Sequence, residues 1–173
     1  MRLLLFVCVI SAGLVMAAEP NHTGVEQEAG SLNIKALSAG EIDGLLNGEG
    51  MGMAKVMELN HYPGPRHLLD LSDSLKLTDD QIAQAQAAFD SMHVEAVQLG
   101  SQIIRLEAQL DSLVASGTVN AGSFEDVRKI TMEIAALRGR LRLTHMRAHV
   151  KMRAILTDAQ IAAYDRLWGH PTL

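Results

Sequence analysis

Apolar residues recur at alternating spacings of three and four along two long segments of the chain. The first segment runs from Ile82 to Leu113 and the second from Val127 to Ile155. Because this spacing places apolar side chains on one face of an α-helix, the pattern predicts two long helices. Only the short stretch 117–122 separates them, so they are predicted to form an antiparallel hairpin.

Shorter helical segments flank the predicted hairpin. Pro65 is well placed to open a short helix, and the stretch from Asp158 to Trp168 has the spacing of a last helix. The predicted fold is therefore all-α: a long antiparallel helical hairpin with short flanking helices, as a four-helix protomer. Since short helices can cover the long pair only in part, we expect a homodimer.

Two copies of the motif Leu-Thr-x-x-Gln stand at predicted helix starts, one beginning at Leu77 and the other at Leu156. The threonine can accept a hydrogen bond from the backbone N–H three residues on, and the glutamine can reach back to the threonine N–H. Helix capping explains the motif without any chemistry. We therefore predict structural caps at Thr78, Gln81, Thr157 and Gln160.

Residues 19 to about 60 show no sustained helical period, and residues 1–18 form a separate segment. Residues 1–18 have a positive start at Arg2 and an apolar run from Leu3 to Met16, which are features of a signal peptide. An uncleaved membrane anchor is the alternative, although the run is shorter than the ~20 residues that a span needs. We expect an exported, periplasmic protein with no stable membrane insertion after cleavage.

Residues 19–62 carry seven acidic residues against two lysines, with seven scattered glycines. This composition predicts a flexible acidic arm that contains glycine and methionine. Within it, Ile42 to Leu46 and Met53 to Leu59 could form single helical turns on docking. The helical domain is expected to span residues 63–173.

Composition and charge exclude several function classes. The only cysteine, Cys8, lies in the predicted signal peptide, so disulfide and thiol chemistry are excluded from the mature chain. The formal charge of -5 does not favour nucleic-acid binding.

Charge is unevenly distributed between the two predicted long helices. Residues 79–116 hold six acids and one base, whereas residues 128–153 hold eight bases and one acid. The basic segment is explained either by pairing with its acidic neighbour or by a surface that attracts acidic or unfolded clients.

Two Leu-Thr-x-x-Gln boxes that bracket a long helical hairpin resemble the Spy/CpxP family of periplasmic proteins. The resemblance covers about residues 63–173 and is most specific from Met152 to Asp165. It implies four-helix protomers that pair into a curved dimer and act as ATP-independent chaperones or envelope-stress accessory proteins. A sensor kinase is a further candidate partner. Related branches sense or resist heavy metals, which gives the alternative function.

The chaperone interpretation requires a surface that holds partly unfolded envelope proteins. Arginines interleaved with apolar residues give such a surface, because their guanidinium groups remain hydrated while the aliphatic parts of their side chains cover apolar groups. The predicted client-binding residues are Arg138, Arg142, Leu143, Met146, Arg147 and Val150.

His145 and His149 lie four residues apart, a spacing that can chelate Zn²⁺, Cu²⁺ or Ni²⁺ from one helical face. The alternative is a pair of polar surface histidines. Met146 stands where a metalloprotease helix has its glutamate, so no general base is supplied. His67 has no histidine four residues away, and the ligand set of the nickel/cobalt sensors is not reproduced. No catalytic set or required cofactor is signalled, so we expect a protein that is not an enzyme.

Overall fold

A computed structural model describes residues 34–169 of the chain. The predicted signal peptide, residues 1–18, and the first part of the predicted arm lie outside these residues. The described part contains helices and no strand, which confirms the all-α prediction. The helices are α1 (Ala39–Leu46), α2 (Lys55–Glu58), α3 (Pro65–Asp70), α4 (Asp79–Ala115), α5 (Phe124–Ile155) and α6 (Asp158–Trp168).

The two long helices, α4 and α5, pack against each other along their length. Ala85, near the start of α4, shares an apolar cluster with Met152, near the end of α5. Ile103, further along α4, shares a second cluster with Leu137, which lies earlier on α5. The two helices therefore run in opposite directions.

The structure differs from the predicted flexible arm over residues 34–62. Ser38 and Glu41 form a capping box at the start of α1, and Ile42 and Leu45 are buried in a cluster with residues of α4. The side chain of Lys35 also bonds Asp111 of α4 at 3.0 Å. Helical turns are expected on docking at 42–46 and 53–59, where the structure has the end of α1 and the whole of α2. The described chain therefore has six helices, of which four lie in the predicted domain 63–173.

Gly100 explains how closely α1 approaches α4. A Cβ at this position would lie 2.0 Å from the carbonyl oxygen of Leu45, which is far inside contact distance. The absence of a side chain therefore lets the end of α1 rest directly on the backbone of α4.

The capping boxes of α4 and α6 meet at one end of the long helices. In each box the threonine side chain accepts from the glutamine N–H, and the glutamine side chain accepts from the threonine N–H. The amide groups of Gln81 and Gln160 are also linked to each other at 3.0 Å, and Gln81 donates to the carbonyl of Ile155. The motif thus joins the two helix starts in addition to capping them.

Two apolar clusters occupy different levels of the α4–α5 pair. The first, around Leu45 and Leu99, holds α1. The second, around Leu68 and Tyr164, holds α3 and α6. No helix within residues 34–169 is both long and apolar enough to cross a membrane.

A histidine-lined pocket as the candidate functional site

A pocket of about 410 Å³ opens between the two apolar clusters. Its walls come from the loop 47–50, Glu58 at the end of α2, the start of α3, the first half of α4 and the last part of α5. The lining residues include four of the five histidines in the described part of the chain: His67, His93, His145 and His149.

His149 has a defined orientation. It is buried, and its Nδ1 lies 2.7 Å from the carbonyl oxygen of Tyr62. Because a carbonyl can only accept, Nδ1–H donates this bond, and in the neutral ring Nε2 keeps its lone pair. A Cβ on residue 64 would lie 3.2 Å from that Nε2 and 3.7 Å from Nδ1 of His67. Gly64 therefore lets the backbone pass close to the Nε2 edge of His149 and to His67, where a side chain would crowd the His149 ring.

The burial of His149 also sets its protonation. Desolvation lowers the pKa of His149, and the nearby His67 lowers it further. The bond to Tyr62 and the negative charge of Glu58 act in the opposite direction. The net lowering favours the neutral ring at neutral pH, which is the form that binds metal ions.

His145 is buried with an unsatisfied polar atom. Its exposed fraction is 3%, and its Nε2 has no hydrogen-bond partner within residues 34–169. Burial lowers the pKa of His145, and the nearby His149 lowers this pKa further. A buried nitrogen without a partner is costly, so this atom is a candidate for contact with a ligand.

His67 lies between an acid and a phenol. Its Nδ1 is 3.3 Å from Oε1 of Glu58 and 3.3 Å from the hydroxyl oxygen of Tyr164. Burial raises the pKa of Tyr164, and Glu58 and Asp165 raise it further, so the phenol keeps its proton at neutral pH. Nδ1 can either donate to Glu58 or accept from Tyr164, and the tautomer decides which.

The other two histidines in the described chain have different surroundings. His93 lines the pocket and stacks on Phe89 with 5.7 Å between ring centroids. His61 lies outside the lining and pairs with Asp165 of α6, with 2.8 Å between Nδ1 and Oδ2. His61 also has a positive φ of 67°, an unusual backbone state for a residue other than glycine.

The donor atoms fit a borderline metal ion by type, although they have not converged on one point. His67, His145, His149 and Glu58 would supply three imidazole nitrogens and a carboxylate oxygen, a set that suits Zn²⁺ or Ni²⁺. Within residues 34–169, no three His, Cys, Asp or Glu side chains already form a group that could hold an ion. Binding would therefore require side-chain rotation into the pocket.

The predicted client-binding residues lie on α5 in two different settings. Arg138 bonds buried Glu107 at 3.0 Å, and Arg147 pairs with Glu95 at 3.5 Å. In contrast, Leu143 and Val150 are half exposed, and Arg142 makes no salt bridge to a described residue. Pairing with α4 therefore accounts for part of the basic charge of α5.

No family model, curated protein or solved structure matches the chain. The Spy/CpxP assignment therefore stays a prediction that rests on the residues of the motif.

Sequence reasoning missed most of this pocket. The sequence pattern identified His145 and His149 on α5. It could not predict that Glu58 and His67 lie near them, because that contact depends on how the segment before α3 folds. One signal was available: Ser38 followed three residues later by Glu41 is the pattern of a capping box. That pattern would have indicated an ordered helix in the predicted arm.

Proposed function

We propose that the protein binds a divalent transition-metal ion, Zn²⁺, Cu²⁺ or Ni²⁺, in the histidine-lined pocket and acts as an exported metal sensor or resistance protein rather than as an enzyme. The observation that carries this proposal is the environment of His149. Its Nδ1–H is bonded to a backbone carbonyl, and its ring lines the pocket together with a second imidazole, that of His67. Metal-binding histidines are commonly oriented by such a bond to the second nitrogen.

His149 would hold the ion together with His67 and Glu58, and His145 would supply a further nitrogen. When bound, the ion supplies a cross-link between side chains and no reaction chemistry. Glu58 and His67 are the ends of residues 58–67, the covering segment, which forms one wall of the pocket, whereas His145 and His149 belong to α5. The four side chains would therefore connect the covering segment to the long helices. Binding of the ion would change the surface of that segment, and a partner could recognise the change.

The experiment is a titration of the chain with each ion, followed by calorimetry and by thermal unfolding. An ion that binds only the folded state stabilises it by about 2.7 kcal/mol at a hundredfold excess over Kd. We expect His149→Ala to abolish both signals. His93→Gln is the matched control, because His93 lines the same pocket but stacks on Phe89. Equal loss in both variants, or no binding by the wild type, would overturn the proposal.

A second candidate function is an ATP-independent chaperone that holds partly unfolded clients on α5. The observation that favours it is the exposed face of that helix, where Met132, Leu143 and Val150 are half exposed or more. Arg140 and Arg142 lie on the same helix and pair with no described carboxylate. Exposed apolar side chains beside free positive charge could both attract and hold a client.

A client-aggregation assay separates the two functions. Arg142→Glu should weaken protection of an unfolding client and leave metal binding unchanged, since Arg142 is outside the pocket lining. The pocket variant His149→Ala should give the reverse result. A client protected equally by both variants and the wild type would exclude this surface.

A further inference from the structure

The histidine-lined pocket is larger than a metal ion requires. Its volume is about 410 Å³, which falls within the range of about 300–1,000 Å³ that is usual for small-molecule sites. A water molecule occupies about 30 Å³ in the liquid, so six waters around an ion would fill roughly 180 Å³. More than half of the pocket would therefore remain for another ligand.

The lining also contains groups that suit an organic molecule. Pro65 of α3 and Phe89 and Met92 of α4 contribute apolar surface. The guanidinium group of Arg66 belongs to the same lining and lies 5.6 Å from the centre of the Phe89 ring. An apolar wall with a few polar groups is typical of sites that bind small organic ligands.

The guanidinium group of Arg66 is free to bind an anion. Its Nε lies 3.6 Å from Oδ1 of Asp70, and both side chains are more than 60% exposed. An ion pair of this kind on the surface contributes little to stability. Neither of the carboxylates that line the pocket, those of Glu49 and Glu58, forms a salt bridge with Arg66. Arginine can therefore offer its remaining N–H groups to a carboxylate, which it binds through two parallel hydrogen bonds.

The positive charge and the metal-ligating groups lie on different sides of the start of α3. Arg66 lies over Phe89 of α4, whereas the adjacent His67 contacts Glu58 and Tyr164. A chelated ion has a matching polarity, because its metal is positive and the outer carboxylate of its ligand is negative. Such a complex would place the metal beside His67 and Glu58 and its carboxylate beside Arg66.

We propose that the pocket takes its ion as a chelate with a small organic polycarboxylate, and that Arg66 binds the free carboxylate of that ligand. This inference rests on the metal-binding function proposed above. It explains why no three His, Cys, Asp or Glu side chains within residues 34–169 already form a group that could hold an ion. An ion that arrives with its own ligand needs fewer protein donors, and protein metal sites commonly leave a position open for such a ligand.

Calorimetry with Ni²⁺ and citrate tests the proposal on the full chain. Citrate at about ten times its own dissociation constant for Ni²⁺ lowers the free ion about tenfold. If the pocket takes the bare ion, the apparent affinity for Ni²⁺ should fall by the same factor. We expect it to fall by no more than about twofold. Radiolabelled citrate should also be retained by the protein in equilibrium dialysis, and only when Ni²⁺ is present.

Arg66→Gln separates the carboxylate contact from the metal contacts. The variant should retain citrate in the presence of Ni²⁺ about tenfold more weakly, because it loses a charge-assisted contact. Its affinity for Ni²⁺ alone should not fall, since the change removes a positive charge near a cation. Arg105→Gln is the matched control and should retain citrate as the wild type does, because Arg105 of α4 is exposed and lies outside the lining.

The possible outcomes distinguish this inference from the proposed function. Binding of Ni²⁺ that citrate weakens in proportion to the free ion would overturn the inference and leave the metal-binding function standing. No binding of Ni²⁺, with or without citrate, would overturn both. Retention of citrate without Ni²⁺ would overturn the inference because the ligand would then be the acid itself. Equal retention by Arg66→Gln and the wild type would overturn it because another group would hold the carboxylate.

Discussion

Two buried histidines of α5 differ in the hydrogen bonds that their rings make. His149 donates to the carbonyl of Tyr62, while Nε2 of His145 meets no partner in the described chain. Burial disfavours the charged form of both rings. The hydrogen bond of His149 therefore stabilises the fold, whereas the unpaired nitrogen of His145 destabilises it. This pattern is expected where a residue is retained for ligand binding rather than for stability.

Replacing His145 with leucine should stabilise the protein. An unsatisfied buried polar group costs about 1–3 kcal/mol, and an apolar side chain of similar volume removes that cost. We expect His145→Leu to raise the free energy of unfolding in urea and to weaken metal binding. His149→Leu is the control and should lower that free energy, because it leaves the carbonyl of Tyr62 without its donor. Destabilisation by both changes would show that Nε2 of His145 is satisfied in solution.

The same burial predicts how stability depends on pH. The pKa of His145 is lowered in the folded state from 6.5, the value of an unperturbed histidine. Below pH 6.5 the imidazole is therefore protonated more readily in the unfolded chain than in the folded chain. Stability decreases as the pH is lowered, until the pH is below the folded pKa. Urea unfolding at pH 8, 6.5 and 5 should show this loss. It should be smaller in His145→Leu, and an identical slope in that variant would contradict the explanation.

At the scale of elements, the docking of α1 depends on a single close approach. Gly100→Ala would place a methyl group 2.0 Å from the carbonyl oxygen of Leu45, so α1 must move away from α4. Because alanine favours a helix by about 1 kcal/mol over glycine, α4 itself should stay helical. We expect residues 34–62 to become sensitive to proteolysis without loss of the long helices.

Gly40→Ala is the matched control for that experiment. Gly40 lies in the first turn of α1, and a Cβ there would meet nothing within 4 Å. This change should preserve or improve the resistance of residues 34–62. If Gly100→Ala left resistance unchanged, α1 would not be held by its contact with Gly100.

The helices differ in how far the sequence predicts them. The starts of α4 and α6 follow from local patterns, since Thr78 and Thr157 each precede a glutamine by three residues. In residues 34–62 the sequence indicates only single helical turns, because Ile42 and Leu45 are separated by a polar residue and a glycine and are stabilised by packing on α4. Local composition does not record such tertiary contacts, and the position of His67 relative to His149 was hidden for the same reason.

At the scale of the whole molecule, the pocket lies where three parts of the chain meet. The apolar cluster around Leu45 lies on one side and the cluster around Tyr164 on the other. The covering segment contacts α5 through few residues, among them Tyr62 and Gly64 beside His149. A ligand at this level would add contacts where the packing between segments is otherwise sparse.

Hydrogen exchange should locate the effect of metal in this segment. A ligand slows only those openings that break its site, so an ion held by Glu58, His67 and His149 should slow exchange from about residue 58 to residue 67. The opposite end of the long helices, around Ala115 and Phe124, has no pocket histidine and should exchange at the same rate with and without metal. His149→Ala should remove the protection. Uniform slowing along both long helices would instead indicate that the ion acts on global stability or on association, and not through a cross-link between the covering segment and α5.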